Sequence, residues 1–136
     1  ESHAHLMIGL PGETDQTLKQ TFKFVSLIRP STVTYGMMTP YPGTEIFRRV
    51  VAANPAFGDG TQINAASIHT NASFSGVFTS LPQEQLEGYV RTGYRKFYLR
   101  PSYILNRLLK INDVAELRRL ILAGFYVLSF VFSGDK

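Results

Sequence analysis

Few residues in this 136-residue chain have the types and spacing that chemistry asks for. Glu13 is the first. It follows Gly9-Leu10-Pro11-Gly12, a turn whose glycines free the backbone and whose proline fixes one φ. A carboxylate there reads two ways. It fixes the turn through backbone hydrogen bonds or meets a ligand, or it is a first-turn acid that suits a helix dipole and contributes about 0.3–1 kcal/mol. Met38-Thr39-Pro40-Tyr41-Pro42-Gly43 forms a second proline–glycine corner. His3 and His5 would share one face of a strand. With only His69 to join them and no cysteine, a metal set would have to recruit carboxylates, so ordinary strand residues are the better reading.

A third group lies later in the chain. Arg91, Arg95, Lys96, Arg100, Arg107, Lys110, Arg118 and Arg119 interleave with Tyr89, Tyr94, Phe97, Tyr98 and Tyr103. Cations with stacking rings serve RNA, and a basic helix set ahead of an apolar run serves an anionic membrane surface. The commoner outcome at helical spacing is a solvated face with the aromatics in the core. No Ser-His-Asp arrangement, Walker loop or paired-carboxylate signature stands out.

The elements that must position these residues follow from hydrophobic period. Leu6, Met7 and Ile8 form a strand-like run before the first turn. With Thr14 as N-cap, Leu18, Phe22, Val25 and Ile28 then recur on one helix face until Arg29-Pro30. Ser31 to Thr39 is β-branched and aromatic, a second strand, and Thr44 to Ala53 is another helix ended by Asn54-Pro55. Two strands joined by a helix should be parallel, adjacent and right-handed, which brings both corners to one rim. Ala56 to Ser80 reads as a long loop with one short strand near Ser73 to Thr79. Ser80 looks like a helix cap with Gln83 at the capping-box position. Leu86, Val90, Tyr94 and Phe97 then run down one side. A helix from Ser102 to Ile111 and a third after Asn112, with Val114, Leu117, Ile121, Leu128 and Phe132 on one face, complete the reading.

The pair MIGLPGET (Met7 to Thr14) and TPYPGTEI (Thr39 to Ile46), separated by one helix, resembles the fifth and sixth strands of the radical S-adenosylmethionine enzymes. The Pro-Tyr-Pro-Gly-Thr-Glu wording is closest to the cobalamin-binding branch. FYLRPSYILNRLL (Phe97 to Leu109) is similar to that branch's helical segment after the barrel. The tRNA methylthiotransferases are the alternative within the superfamily; against them, the second turn reads Tyr-Pro-Gly-Thr rather than that family's Arg-Pro-Gly-Thr.

The resemblance implies an α/β fold: a fragment of a partial (β/α) TIM-type barrel, with a parallel strand-helix-strand unit and a C-terminal helical segment. It implies that Gly9, Pro11, Gly12 and Glu13, with Met38, Thr39 and Pro40, line an S-adenosylmethionine pocket. It also implies a 4Fe-4S cluster on the first strand's loop, which generates a 5'-deoxyadenosyl radical or supports methyl transfer through cobalamin. The departure is plain: such a cluster needs three cysteines at C-x-x-x-C-x-x-C spacing, and this chain has none. The simplest account is a fragment, as the missing initiator methionine also suggests. Residues 1–80 would be the C-terminal part of the barrel with a long loop, and 81–136 the helical segment. No catalytic residue or metal ligand is then expected here, nor S-adenosylmethionine on this chain alone. The expected partners are the remainder of the parent barrel, a small-molecule substrate and, through uncovered strand edges, other copies. The alternative is a non-enzymatic basic helical module on RNA or an anionic membrane.

Composition sets the outer bounds. A hydrophobic content of 44% suits one globular domain, and the net charge is +4. Absence of cysteine excludes a disulfide framework and suits a cytoplasmic setting. The longest apolar run, Leu120 to Phe132, falls short of the roughly 20 residues that span a bilayer, so no transmembrane helix is expected.

Overall fold

The computed structural model describes residues 2–60, 75–111 and 113–132. Strands β1 (His3–Ile8) and β2 (Thr32–Met37) pair in parallel, from His3 opposite Thr32 to Ile8 opposite Met37. A parallel pair needs a crossover, and helix α1 (Asp15–Ile28) supplies it. Its start is fixed reciprocally: Thr17 N–H donates to the Thr14 hydroxyl at 3.3 Å, and Thr14 N–H to the Thr17 hydroxyl at 2.9 Å. Leu18, Phe22 and Val25 are its buried stripe. Helix α2 (Glu45–Ala53) begins at the Thr44 cap and buries Phe47 and Val50; a 3-10 turn, Pro55–Phe57, follows. The remaining helices are α3 (Ser75–Phe78), α4 (Gln83–Tyr98), α5 (Pro101–Leu108) and α6 (Val114–Phe132). The architecture is thus α/β, a parallel strand-helix-strand unit followed by C-terminal helices, as the sequence leads one to expect.

Strand alternation sorts the side chains into two faces. Ala4, Leu6, Ile8, Val33, Tyr35 and Met37 face a core completed by Leu18, Phe22 and Val25 of α1 and by Leu86, Val90 and Phe97 of α4. Fully burying such side chains contributes about 1.5–3 kcal/mol each. The core therefore crosses from the strand-helix-strand unit into the C-terminal helices. Gly93 makes this close approach feasible, because a Cβ there would stand 2.9 Å from the Tyr35 ring and 3.0 Å from the Phe22 ring.

The outer edge of β2 is closed by tyrosines. The Tyr98 hydroxyl donates to Val33 C=O at 2.8 Å and accepts Val33 N–H at 3.1 Å. The Tyr94 hydroxyl accepts Tyr35 N–H at 3.3 Å, and Tyr103 donates to Ser31 C=O at 3.3 Å. Backbone groups that a neighbouring strand would satisfy are satisfied by side chains instead. Among the described residues no strand lies beside the outer edge of β1.

Three expectations need correction. The strand anticipated near Ser73 to Thr79 is, from Ser75 onward, the helical turn α3; residues 61–74 of that stretch lie outside the described residues. The tyrosines already occupy the edge of β2 that such a strand would need, and Phe78 is buried against Met38 and Val50 instead. Ser80 does not cap α4. The helix starts after Pro82 with no side-chain cap, and Thr79 makes the preceding turn by accepting Leu81 N–H at 3.1 Å. Helix α5 starts at Pro101 rather than Ser102, since a proline's missing N–H costs nothing at the first helical position, and it ends at Leu108 rather than Ile111. In α6, Phe130 meets the Tyr94 ring at 5.4 Å, while the stripe from Val114 to Phe132 stays exposed. No helix among the described residues is long and apolar enough to cross a membrane.

Candidate functional site

Both corners stand at the C-terminal end of the parallel pair. Ile8 is the last residue of β1, and its carbonyl accepts Met38 N–H at 2.7 Å, carrying the ladder one step past β2. The first corner opens at Gly9, whose φ of +91° is a glycine conformation. A Cβ at Gly9 would sit 3.8 Å from Met38 Cβ and 3.6 Å from Leu86 Cδ1, so the two corners touch there.

Glu13 holds the first corner from within. Its Oε2 accepts Gly9 N–H at 2.5 Å, and its own N–H donates to Leu10 C=O at 3.0 Å. Helix α3 and the residue after it hold the corner from outside. Gly12 N–H donates to Phe78 C=O at 2.9 Å, and the Thr79 hydroxyl donates to Glu13 C=O at 2.7 Å. Thr79 is a buried polar residue that sequence reading did not single out; its position beside an apolar pair, Val77-Phe78, gave no signal. Pro11 and Gly12 are exposed and Glu13 is half-buried.

The second corner is closed by Thr44, whose hydroxyl donates to Tyr41 C=O at 2.7 Å and accepts Phe47 N–H at 3.1 Å. Gly43 takes a φ of +89°. Met38 and Pro40 have buried side chains, so a ligand at this corner meets their backbone alone. Thr39 is half-buried, and its hydroxyl donates to Met37 C=O at 3.4 Å. The structure thus gathers Gly9, Pro11, Gly12, Glu13, Met38, Thr39 and Pro40 at one end of the sheet.

Below the corners, the sheet face away from the core carries His3, His5 and Met7 beside Thr32, Thr34 and Gly36. The His3 ring joins the Thr32 hydroxyl through Nδ1 and the Thr34 hydroxyl through Nε2, the latter at 2.9 Å. His5 lies beside it, with ring centroids 4.3 Å apart. Both nitrogens of His3 are occupied. No cluster of metal-ligating side chains occurs among the described residues, and His69 lies outside them. The threonines were missed in sequence because a β-branched strand residue carries no functional signal.

On the helix side, Asp15 accepts the Tyr89 hydroxyl at 2.6 Å and Gln85 Nε2 at 3.0 Å, tying α1 to α4 beside the first corner. The Asp15 bond, followed by burial, raises the Tyr89 phenol above its ordinary value.

Comparison with known proteins adds one relative. An uncharacterized methyltransferase of Pyrococcus horikoshii is 30% identical over 101 residues, covering 73% of this chain and 20% of that protein. The chain thus spans about a fifth of the relative's length, and its likeness to a methyltransferase is partial. No family model and no solved structure matches.

Proposed function

We propose that this chain supplies part of the S-adenosylmethionine pocket of a radical S-adenosylmethionine enzyme, most like the cobalamin-binding branch. It would form the C-terminal part of a partial barrel (residues 1–80) and the helical segment after it (81–136). One observation carries the reading: the two glycine–proline corners meet at the C-terminal end of a parallel pair, where α/β sheets and barrels bind ligands. The partial likeness to a methyltransferase supports use of S-adenosylmethionine.

In this reading Gly9, Pro11 and Gly12 offer backbone to the adenosyl group, and Glu13 keeps their turn in shape. Thr39 borders the adenine with its hydroxyl, and Met38 and Pro40 with their backbone. The polar sheet face of His3, Thr32 and Thr34 looks toward the small-molecule substrate, and the remainder of the parent barrel seats on the open edge of β1. A 4Fe-4S cluster does not fit the residues of this chain, which has no cysteine; its ligands belong to the rest of the parent. No residue here is assigned to cobalamin.

The test uses the parent polypeptide, reconstituted anaerobically with iron and sulfide and then reduced. It should release 5'-deoxyadenosine from S-adenosylmethionine. Thr39→Val should raise the KM for S-adenosylmethionine about tenfold, the equivalent of one lost polar contact. Gly12→Val, which forces a β-branched residue into a φ of +79°, should raise it at least as much, with the cluster absorbance unchanged in both. A parent without C-x-x-x-C-x-x-C, or turnover indifferent to both substitutions, overturns the reading.

A further inference from the structure

The end of the sheet away from the corners carries a second concavity that the reading above does not use. Arg29 and Ser31 precede β2, whereas Met38 follows it, and six strand residues separate them by about 20 Å. Here Arg29, Arg100, Arg107 and Lys110 line a pocket of about 180 Å³ together with Ser102 and Asn106, and among the described residues no acidic side chain lines it. Cations gathered in one concavity focus a positive potential and favour an anion there.

The backbone of Arg29 and the side chain of Arg100 are each fixed by named contacts. Arg29 ends α1 in the left-handed conformation, φ +47°, a position that glycine usually fills, and its N–H donates to Val25 C=O at 3.1 Å. Arg100 lies over the Phe97 ring at 4.5 Å and donates from Nε to Phe97 C=O at 3.1 Å. Its stem is fixed, which lowers the entropy lost when the guanidinium takes up a ligand.

The cationic pocket runs into an apolar one. Tyr103 and Arg107 also line a cleft of about 430 Å³ between α5 and α6, whose walls include Ile104, Leu108, Leu117, Ile121, Val127 and Leu128. That volume falls within the range of small-molecule sites. The sequence marks Leu117, Ile121 and Leu128 as the apolar face of α6. Yet Ile121 remains 62% exposed and Leu128 41%. The face lines an open cleft and is not packed into the core.

We propose that this site binds an anionic amphiphile, with a phosphate-class headgroup among Arg29, Arg100, Arg107 and Lys110 and its hydrocarbon chain in the cleft between α5 and α6. Charge complementarity and the shared residues Tyr103 and Arg107 join the two halves into one site. Nucleic acid would use the cations and leave the cleft empty. The proposal stands apart from the S-adenosylmethionine reading, since it uses the opposite end of the sheet.

Calorimetry on the full 136-residue chain, with monomeric dodecyl phosphate below its micelle concentration, tests it. Dodecyl phosphate should bind about tenfold or more tightly than inorganic phosphate and than the neutral detergent dodecyl maltoside. Arg29→Gln should weaken dodecyl phosphate by about tenfold and leave dodecyl maltoside unchanged. Ile121→Asn should weaken dodecyl phosphate and leave inorganic phosphate unchanged. Both positions are exposed, and circular dichroism of each variant checks that it folds. Equal binding of the charged and neutral amphiphiles overturns the proposal. So does binding indifferent to Arg29→Gln. Sedimentation with anionic vesicles but no uptake of monomeric dodecyl phosphate also overturns it, because the outer faces of the helices would then adsorb to a bilayer without the pocket. Salt-sensitive binding of single-stranded RNA that excludes dodecyl phosphate overturns it in favour of a nucleic-acid surface.

Discussion

The two edges of the sheet receive opposite treatment. On β2, Val33, Tyr35 and Ser31 present their backbone outward and find the hydroxyls of Tyr98, Tyr94 and Tyr103. On β1, His3, His5 and Met7 present theirs to no strand among the described residues. The parity follows from the ladder: Ser2 and Ile8 accept from Thr32 and Met38, so the odd-numbered residues between them point the other way. One edge is finished by side chains that exclude another strand. The other is open for one. Among the described residues, therefore, only the β1 edge is left for a further strand to pair with.

The sharpest way to break this asymmetry is at Gly93. A valine there would drive its Cβ into Tyr35 and Phe22, forcing α4 and its tyrosines off the sheet. The expected cost is about 1–3 kcal/mol, read as a lower denaturant midpoint. Amide exchange at Val33 and Tyr35 should rise toward the rate of the open β1 edge. An unchanged exchange rate would mean that the tyrosines do not close β2.

Tyr98→Phe attacks the same edge with less disturbance of packing. It removes the partner of both Val33 N–H and Val33 C=O at once, and the expected loss is about 1–3 kcal/mol. Tyr94→Phe removes one bond and should cost about 1 kcal/mol. If the two substitutions cost the same, the double role assigned to Tyr98 is wrong.

Alkaline titration tests the closed edge as a group. Burial pushes the Tyr35 phenol up to about 12 from its ordinary 10.0, and burial raises Tyr98 as well. The folded state holds these protons more tightly than the unfolded chain. The stability they lend is therefore complete below about pH 10 and is lost as pH rises through about 12. Unfolding should coincide with tyrosinate absorbance in that window, and Tyr35→Phe should shift the transition upward.

Much of this arrangement was legible in the sequence. Period and caps located α1 and α2: Leu18, Phe22 and Val25 lie on the buried face, and Thr14 and Thr44 cap as their types suggest. Parallel pairing followed from the crossover, and the two corners followed from their glycines and prolines. The tyrosine closure was not legible. Tyr94 and Tyr98 look like ordinary members of an amphipathic helix, and only the sheet's position reveals that their hydroxyls serve β2. Thr79 was hidden for the same reason, since its partner Glu13 is far away in sequence. Local propensity mistook Ser75 to Phe78 for strand because it cannot register that the outer edge of β2, where a next strand would pair, is already filled.

The smallest expected effect falls on the open edge. By ladder parity His5 N–H points away from β2, so His5→Pro removes a donor that no described neighbour uses, at a position where prolines are tolerated on edge strands. Stability should change by only about 0.5 kcal/mol, the range of surface substitutions. Association should change more: if a bare edge drives self-association, light scattering at high concentration should fall in the variant while the denaturant midpoint stays in place. The same proline at Leu6, whose N–H faces β2, should unfold the pair. A His5→Pro variant that unfolds as Leu6→Pro does would mean that β1 is paired on both sides, and the two edges would then no longer differ.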